Sequence, residues 1–206
     1  MVIKDVYSAV KGKLVPTQWA YHPDVDQVYK FRPIAALIDD PSDSKIGVHQ
    51  CLEAFQELPG LVQALHEEKK AVLLSLVSQR EGGSGGSDIN LATAVFECNT
   101  PGCQGAQRPL IGWQRAICHT CDGHYGHHYY CYSGCGTITP TFIFSDRGFK
   151  AVESLASLLE LDVQTAVPAD YDQKLARFVC LNCNLVNRSG MHGREALTWR
   201  DCVSVA

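Results

Sequence analysis

The stretch ATAVFECNTPGC at 92–103, together with CHTC at 118–121, decides how this chain is expected to fold. The apolar run 92–97 predicts a short strand that ends at Cys98. Two cysteine pairs follow, Cys98-x4-Cys103 and Cys118-x2-Cys121, at the close spacings typical of metal-binding knuckles. Backbone amides in such a turn hydrogen-bond the thiolates, so the pattern favours a metal-stabilised fold over a purely apolar core.

Two further pairs extend the pattern, Cys131-x3-Cys135 and Cys180-x2-Cys183. Four pairs predict one or two structural Zn²⁺ sites, since structural zinc takes four ligands. The candidate ligands are Cys98, Cys103, Cys118, His119, Cys121, Cys131, Cys135, Cys180, Cys183, His192 and Cys202.

The pairing of these ligands stays open between two schemes. In a sequential scheme, Cys98 and Cys103 share a metal with Cys121 and either Cys118 or His119. The pair Cys180-x2-Cys183 then takes two ligands from His192, Cys202 or the pair Cys131-x3-Cys135. In a cross-braced scheme, the first and third pairs share one metal, and the second and fourth pairs share another.

The cysteines also divide the chain. Only Cys51 among the ten lies within residues 1–81, on an apolar helix face that predicts a core thiol. Residues 82–87 read GGSGGS, which predicts an engineered flexible linker that replaces a loop; a fusion of two pieces or a natural Gly/Ser loop are the alternatives. We expect 1–81 to be a helical segment that packs with the Cys-rich zinc-binding segment 88–206 as one compact unit.

Hydrophobic periodicity predicts an α+β, helix-rich fold with short strands and irregular loops held by one or two structural zinc sites. Pro59-Gly60 is expected to interrupt the helical pattern, and residues 19–31 are expected to be irregular. The predicted helices span 33–38, 48–58, 61–79, 149–161 and 195–205, and the predicted strands 92–97 and 137–144, the latter at a sheet edge because of Pro140.

Two resemblances bear on function. The run from Tyr130 to Cys135, YCYSGC, preceded by Cys118-x2-Cys121, resembles a MYND-type zinc finger, which implies a cross-braced protein-interaction module. Over 92–206 the chain is similar to uncharacterised Cys-rich zinc-binding proteins of mushroom-forming fungi, through LATAVFEC-x4-C, H-x-C, FVC-x2-C and TWR-x-C. The second resemblance implies no activity. It implies these ligands: Cys98, Cys103, His119, Cys121, Cys180 and Cys183, with Cys202 where those proteins carry a histidine.

The predicted function is a non-enzymatic, zinc-stabilised protein-interaction module, because closed thiolate sites are structural far more often than catalytic. One alternative is an enzyme, either a zinc hydrolase that uses the His-rich loop 124–128 or a ubiquitin-transfer protein with a reactive cysteine. Another is a nucleic-acid-binding zinc finger that uses a basic face formed by Arg188, His192, Arg194 and Arg200.

Net charge and hydropathy indicate the class of partner and the cellular location. A net charge of -4 makes a protein partner more probable than a nucleic acid. No apolar run approaches the length of a membrane span, and no leader with a small-residue cleavage site is evident. We therefore expect no membrane partner and an intracellular location, cytoplasmic or nuclear, in which cysteines persist as thiols.

Overall fold

The computed structural model describes residues 2–41, 45–80, 88–101, 103, 108–119, 121, 140–181, 186–188 and 191–205. The side chains of 186–192 and of residue 205 lie outside this description, as does the GGSGGS linker. Backbone contacts divide the described chain into two units, residues 2–69 and residues 70–205. Each unit is described by itself, and the packing of 1–81 with 88–206 stays a prediction.

Helices predominate over a few short antiparallel strands, so the predicted α+β, helix-rich class is confirmed. The helices are α1 Val2–Gly12, α2 Pro16–Trp19, α3 Val25–Val28, α4 Arg32–Ile38, α5 Val48–Ala54, a 3-10 turn Phe55–Glu57, α6 Leu58–Ser78, α7 Trp113–Ile117, α8 Asp146–Leu159, α9 Pro168–Gln173 and α10 Trp199–Val205. The strands are β1 Val95–Cys98, β2 Leu110–Ile111, β3 Phe142–Phe144, β4 Phe178–Val179, β5 Val186–Arg188, β6 Met191–Gly193 and β7 Ala196–Leu197.

The first unit has an apolar core. Cys51 is fully buried in its core, which confirms the predicted core thiol. Helix α1 buries one face, because its apolar residues recur at helical spacing. The buried core residues are Ile3, Val6, Tyr7, Val28, Ile34, Cys51, Phe55, Leu58 and Val62.

Two details of the first unit differ from the sequence expectation. Pro59 does not lie in a loop between two helices. Helix α6 begins at Leu58, so the proline lies in its first turn. N–H groups in the first turn have no acceptor within the helix, so the absence of an N–H in proline costs no hydrogen bond there. Residues 19–31 contain the short helix α3, whose N-terminus is capped by Asp24 accepting from the Gln27 N–H at 3.3 Å.

Across the described residues, no helix is both long and apolar enough to cross a membrane.

The second unit is built on a three-stranded antiparallel sheet in the order β2-β1-β3. Strand β1 is central and its side chains alternate between two buried clusters: Val95 packs on one side, and Phe96 on the other. Strand β3 lies at an edge of this sheet, as predicted, with Phe144 opposite Phe96; it begins at Phe142, after Pro140, and is shorter than the predicted 137–144, of which 137–139 lie outside the described residues.

Two clusters cover the two faces of this sheet. One joins the sheet to α8, α9 and α10, and its buried residues are Ala92, Val95, Ile111, Val152, Leu155, Ala156, Ala166, Tyr171, Trp199 and Val203. The other joins it to α7 and the second half of α6, and its buried residues are Leu73, Ala94, Phe96, Ala116 and Ile117. The sheet is therefore covered by apolar side chains on both faces, and this packing holds β1 in place.

The predicted helix over 195–205 begins later than expected. Residues 196–197 form β7, and the helix starts only at Trp199. Thr198 caps it: the Thr198 hydroxyl accepts from the Asp201 N–H at 3.2 Å, and Asp201 Oδ2 accepts from the Thr198 N–H at 2.8 Å. This reciprocal pair is a capping box, which favours a helix start at that position.

Candidate metal centre

The candidate metal centre lies where β1 and α7 end. Strand β1 ends at Cys98, and a turn closed by the Cys103 N–H donating to Thr100 O at 3.1 Å brings Cys103 back toward it. Helix α7 ends at Ile117, which is buried in the same cluster as Phe96 of β1. This packing holds the residues just after α7 against the end of the strand.

Four side chains converge there: Cys98, Cys103, His119 and Cys121. Their ligand atoms all lie within 4.8 Å of one another. The Sγ atoms of Cys98 and Cys121 are 3.5 Å apart, Cys103 Sγ is 3.4 Å from His119 Nε2, and Cys121 Sγ is 3.7 Å from the same nitrogen.

These three separations are close to the edges of a zinc coordination tetrahedron. Zn–S bonds near 2.3 Å and Zn–N bonds near 2.0 Å place neighbouring ligands about 3.8 Å apart for two sulfurs and about 3.5 Å apart for sulfur and nitrogen. Three thiols and one imidazole are also a donor set that zinc prefers. The residues therefore fit a metal ion, for which zinc is the usual occupant of such a set.

The site is enclosed by protein. Cys98 and Cys103 are buried, and His119 and Cys121 are half-buried. The His119 ring meets Phe142 of β3 edge-on, with ring centroids 6.0 Å apart. The sheet edge thus shields one side of the imidazole from solvent.

The pKa values of the neighbouring thiols Cys98 and Cys121 are shifted in opposite directions. Burial raises the pKa of Cys121 to about 12, and the neighbouring Cys98 acts in the same direction. Burial also acts to raise the pKa of Cys98, but hydrogen bonds from Thr100 outweigh it and lower that pKa below its ordinary value. Metal binding requires thiolates, so a bound cation would displace the protons of these thiols.

The structure brings His119 into the four-residue group and leaves Cys118 out of it. Cys118 packs against the cluster that contains Phe96, on the α7 side of the sheet. Of the two residues that the sequence offers beside Cys121, the described geometry therefore favours His119. Cys131, Cys135 and Cys183 lie outside the described residues, as does the His-rich loop 124–128, and the side chain of His192 is not described.

A second site stays a prediction, because only Cys180 and Cys202 among its candidate ligands have described side chains. Both are half-buried. Burial, with Asp201 and Cys180 nearby, raises the pKa of Cys202. The Cys180 carbonyl accepts from the Arg194 guanidinium at 2.6 Å.

Thr100 is a residue that sequence reasoning missed. It lies between Cys98 and Cys103, is buried, and its Oγ1 accepts a hydrogen bond from the Thr141 N–H at 2.8 Å. The feature of the sequence that could have indicated Thr100 is a hydroxyl residue two positions after a metal-binding cysteine.

Comparison of the chain with protein-family models, curated proteins and solved structures gives no match. The resemblances to MYND-type fingers and to the fungal Cys-rich proteins therefore stay predictions.

Proposed function

We propose that this chain is a non-enzymatic protein-interaction module stabilised by Zn²⁺ bound to Cys98, Cys103, His119 and Cys121. The observation that carries the proposal is the set of four ligand atoms within 4.8 Å of one another, near the ends of β1 and α7 and beside Phe142 of β3. Four protein ligands fill the coordination of zinc, so this site has no position for a substrate or a reactive water.

A metal ion at this site would join three segments of the chain. Cys98 ends the central strand, Cys103 belongs to the adjacent turn, and His119 and Cys121 follow α7. A metal bound there would cross-link the end of β1 to the turn after it and to the chain after α7, and its ligation free energy would add to the stability of the fold.

The proposed partner surface surrounds the FVCLNCN stretch. Leu175 is 78% exposed and Leu181 is 77% exposed, while Val179 between them is 47% exposed. Leu175 also has a left-handed backbone, with φ at 50°, which leucine rarely adopts. These exposed apolar residues lie in or beside β4, and we take them as the surface that a protein partner would cover.

The basic residues at the C-terminal end support a nucleic-acid partner less well. Arg200 forms an ion pair with Asp172 at 2.7 Å, and Arg194 donates to the Cys180 carbonyl. Both guanidinium groups are therefore engaged within the protein, and the net charge of -4 also disfavours phosphate binding.

Metal content and X-ray absorption test the metal part of the proposal. The purified full chain should contain zinc in shells of sulfur and nitrogen with no oxygen ligand. Cys121→Ser should lose one equivalent, while the matched variant Cys118→Ser should keep it. A zinc-bound water in the intact protein, or equal loss in both variants, would overturn the closed Cys₃His assignment.

Partner binding is tested separately. Cross-linked partners from a cell extract should disappear with the double variant Leu175→Asp/Leu181→Asp. They should persist with Leu158→Asp, which adds the same charge at a 70% exposed leucine of α8. Retention of every partner by the double variant would exclude this surface.

A further inference from the structure

Phe142, the first residue of β3, lies beside two of the four proposed ligands. Its ring meets the His119 imidazole edge-on, with ring centroids 6.0 Å apart and ring planes inclined at 67°. In the register of the sheet it also lies opposite Cys98, the last residue of β1. Directly opposed residues of two neighbouring strands present their side chains on the same face of the sheet, so Phe142 shares a face with the Cys98 thiol.

Hydrogen bonds hold the start of β3 against the turn that follows β1. The Asn99 N–H donates to the Thr141 carbonyl at 2.8 Å, and the Thr141 N–H donates to Thr100 Oγ1 at 2.8 Å. Phe142 itself packs against the buried apolar cluster on the α7 side of the sheet. The position of its ring is therefore set by backbone bonds and packing that need no metal ion.

The imidazole of His119 must be held in one orientation to bind a metal. Its Nε2 lies 3.4 Å from Cys103 Sγ and 3.7 Å from Cys121 Sγ, so this nitrogen faces the thiols. His119 is only half-buried, so the protein does not enclose the ring on every side. A side chain that rotates freely loses that freedom when it binds, which lowers affinity, and a contact that orients it beforehand avoids this cost.

We propose that Phe142 is a positioning residue for the metal: its ring keeps the His119 imidazole turned with Nε2 toward the thiols and thereby raises the affinity of the site. The inference rests on the proposed zinc site. A ring contact, or the ordering of one side chain, changes an equilibrium constant by about 2- to 12-fold. Loss of the Phe142 ring should therefore weaken zinc binding by about 3- to 10-fold.

Three variants of β3 separate this role from packing of the sheet. Phe142→Leu stays apolar but removes the ring, so it should show the loss of affinity. Phe142→Tyr keeps the ring and should bind zinc within about 2-fold of the wild type. Phe144→Leu is the matched control, because Phe144 lies on the same face of the same strand but its ring meets Phe96 and Phe149, at 6.3 Å and 6.0 Å between centroids. It should destabilise the sheet and leave zinc affinity within about 2-fold of the wild type.

A double-mutant cycle with His119→Ala identifies the ligand through which Phe142 acts. His119→Ala leaves Cys98, Cys103 and Cys121 to bind zinc at a lower affinity. Because the proposed action is on the imidazole, Phe142→Leu should have no further effect on zinc affinity in that background.

Zinc affinity of the full chain is measured by competition with a chromophoric chelator, and the d–d bands of the Co²⁺-loaded protein report the geometry of the ligands. These bands should change in Phe142→Leu and stay unchanged in Phe144→Leu. Far-UV circular dichroism of each loaded variant verifies that it is folded. If Phe142→Leu does not fold, Phe142→Ile, which is also apolar and is favoured in strands, takes its place in the comparison.

The outcomes are distinguishable. Equal zinc affinities of Phe142→Leu and Phe144→Leu would overturn the role of Phe142 and leave the zinc site standing. A loss of affinity in Phe142→Leu that persists undiminished beside His119→Ala would do the same, since the ring would then act by packing and not through the imidazole. Failure of the wild-type chain to bind zinc through the four proposed ligands would overturn both the zinc site and this inference.

Discussion

The indole N–H of Trp199 donates to Asp172 Oδ1 at 2.6 Å and thereby joins the start of α10 to α9. Arg200 adds two bonds to the same carboxylate, at 3.2 Å and 2.7 Å. We expect Asp172→Asn to lower the free energy of unfolding by about 1 kcal/mol, a modest value because the pair is half-exposed. Urea denaturation of zinc-saturated protein measures it.

The control for this prediction is Glu153→Gln, which removes a negative charge from the exposed face of α8 without touching this network. It should leave the unfolding midpoint unchanged. A midpoint for Asp172→Asn equal to that of Glu153→Gln would show that the contacts around Trp199 contribute no net stability.

The carboxylate of Asp172 is expected to contribute to the free energy of unfolding in a way that depends on pH. Hydrogen bonds from Arg200 lower the pKa of Asp172 below its ordinary value of 3.8, against an opposing effect of burial. The unfolded chain therefore binds the proton more readily, so this stabilisation is complete above pH 3.8 and is lost as the pH falls through the folded pKa. The difference in unfolding free energy between wild type and Asp172→Asn should therefore be constant from pH 8 to pH 5, because Asp172 stays ionised over that range. A difference that shrinks between pH 8 and pH 5 would contradict the lowered pKa.

His22 predicts a second pH dependence, in the first unit and at higher pH. Burial lowers the pKa of His22 from 6.5, and nearby Lys11 and His66 lower it further. Its buried Nδ1 has no hydrogen-bond partner within the described residues, so a proton there would gain no acceptor. Because the unfolded state takes up this proton more readily, stability of the first unit should fall as the pH drops below 6.5 toward the folded pKa.

Amide hydrogen exchange of α1 and α3, followed from pH 7.5 to pH 5, measures this effect once the intrinsic exchange rates are corrected. His66→Gln removes one source of positive charge, so the pKa of His22 in an NMR titration should rise toward 6.5. A His22 pKa at or above 6.5 in the wild type would refute the prediction.

Gly148 lies in α8, where replacement by alanine ordinarily stabilises a helix by up to about 1 kcal/mol. Here a Cβ would meet Val95 Cγ1 at 2.5 Å, inside the core on one face of the sheet. We therefore expect Gly148→Ala to destabilise the protein by about 1–3 kcal/mol, as overpacking does. Thermal unfolding of the zinc-saturated chain measures the change.

Gly60→Ala is the matched control, because it also lies in a helix and its Cβ would meet nothing within 4 Å. It should be neutral or stabilising. The double variant Gly148→Ala/Val95→Ala should recover part of the loss by making room, and a stabilising Gly148→Ala would show that the contact with Val95 relaxes at no cost.

Metal removal should unfold the Cys-rich segment 92–206 cooperatively, because ligation free energy is folding free energy. Chelation should then expose the buried thiols of Cys98 and Cys103 to alkylation, with a loss of far-UV circular dichroism. Cys51, fully buried in the separate core of the first unit, should stay protected and serves as the internal control. Unchanged circular dichroism and labelling after chelation would exclude a structural metal.

The sequence predicts those features that depend on local patterns. Helix α8 and the buried Cys51 follow from apolar spacing at three and four residues. The spacing of Cys98, Cys103 and Cys121 likewise narrows the metal centre to one region of the chain.

Other features depend on tertiary contacts that spacing does not encode. The choice of His119 over Cys118 depends on the direction in which the chain leaves α7, and Cys118 instead packs beside Phe96. The contact between Thr100 and Thr141 joins residues 41 positions apart, which no knuckle pattern contains. The start of α10 at Trp199 depends on the Thr198 cap, which overrides the helical tendency of the residues before it.

The ligands Cys98 and Cys121 are only 23 positions apart, and Cys103 and His119 lie between them. On a growing chain, this whole donor set leaves the ribosome before β3 does. A zinc ion could thus close the short loop while β3 is still missing from the sheet, since closing a short loop has a low entropic cost. The ring of Phe142, which lies against His119, would then arrive at a site already loaded, so the order of synthesis places metal capture ahead of the completed sheet.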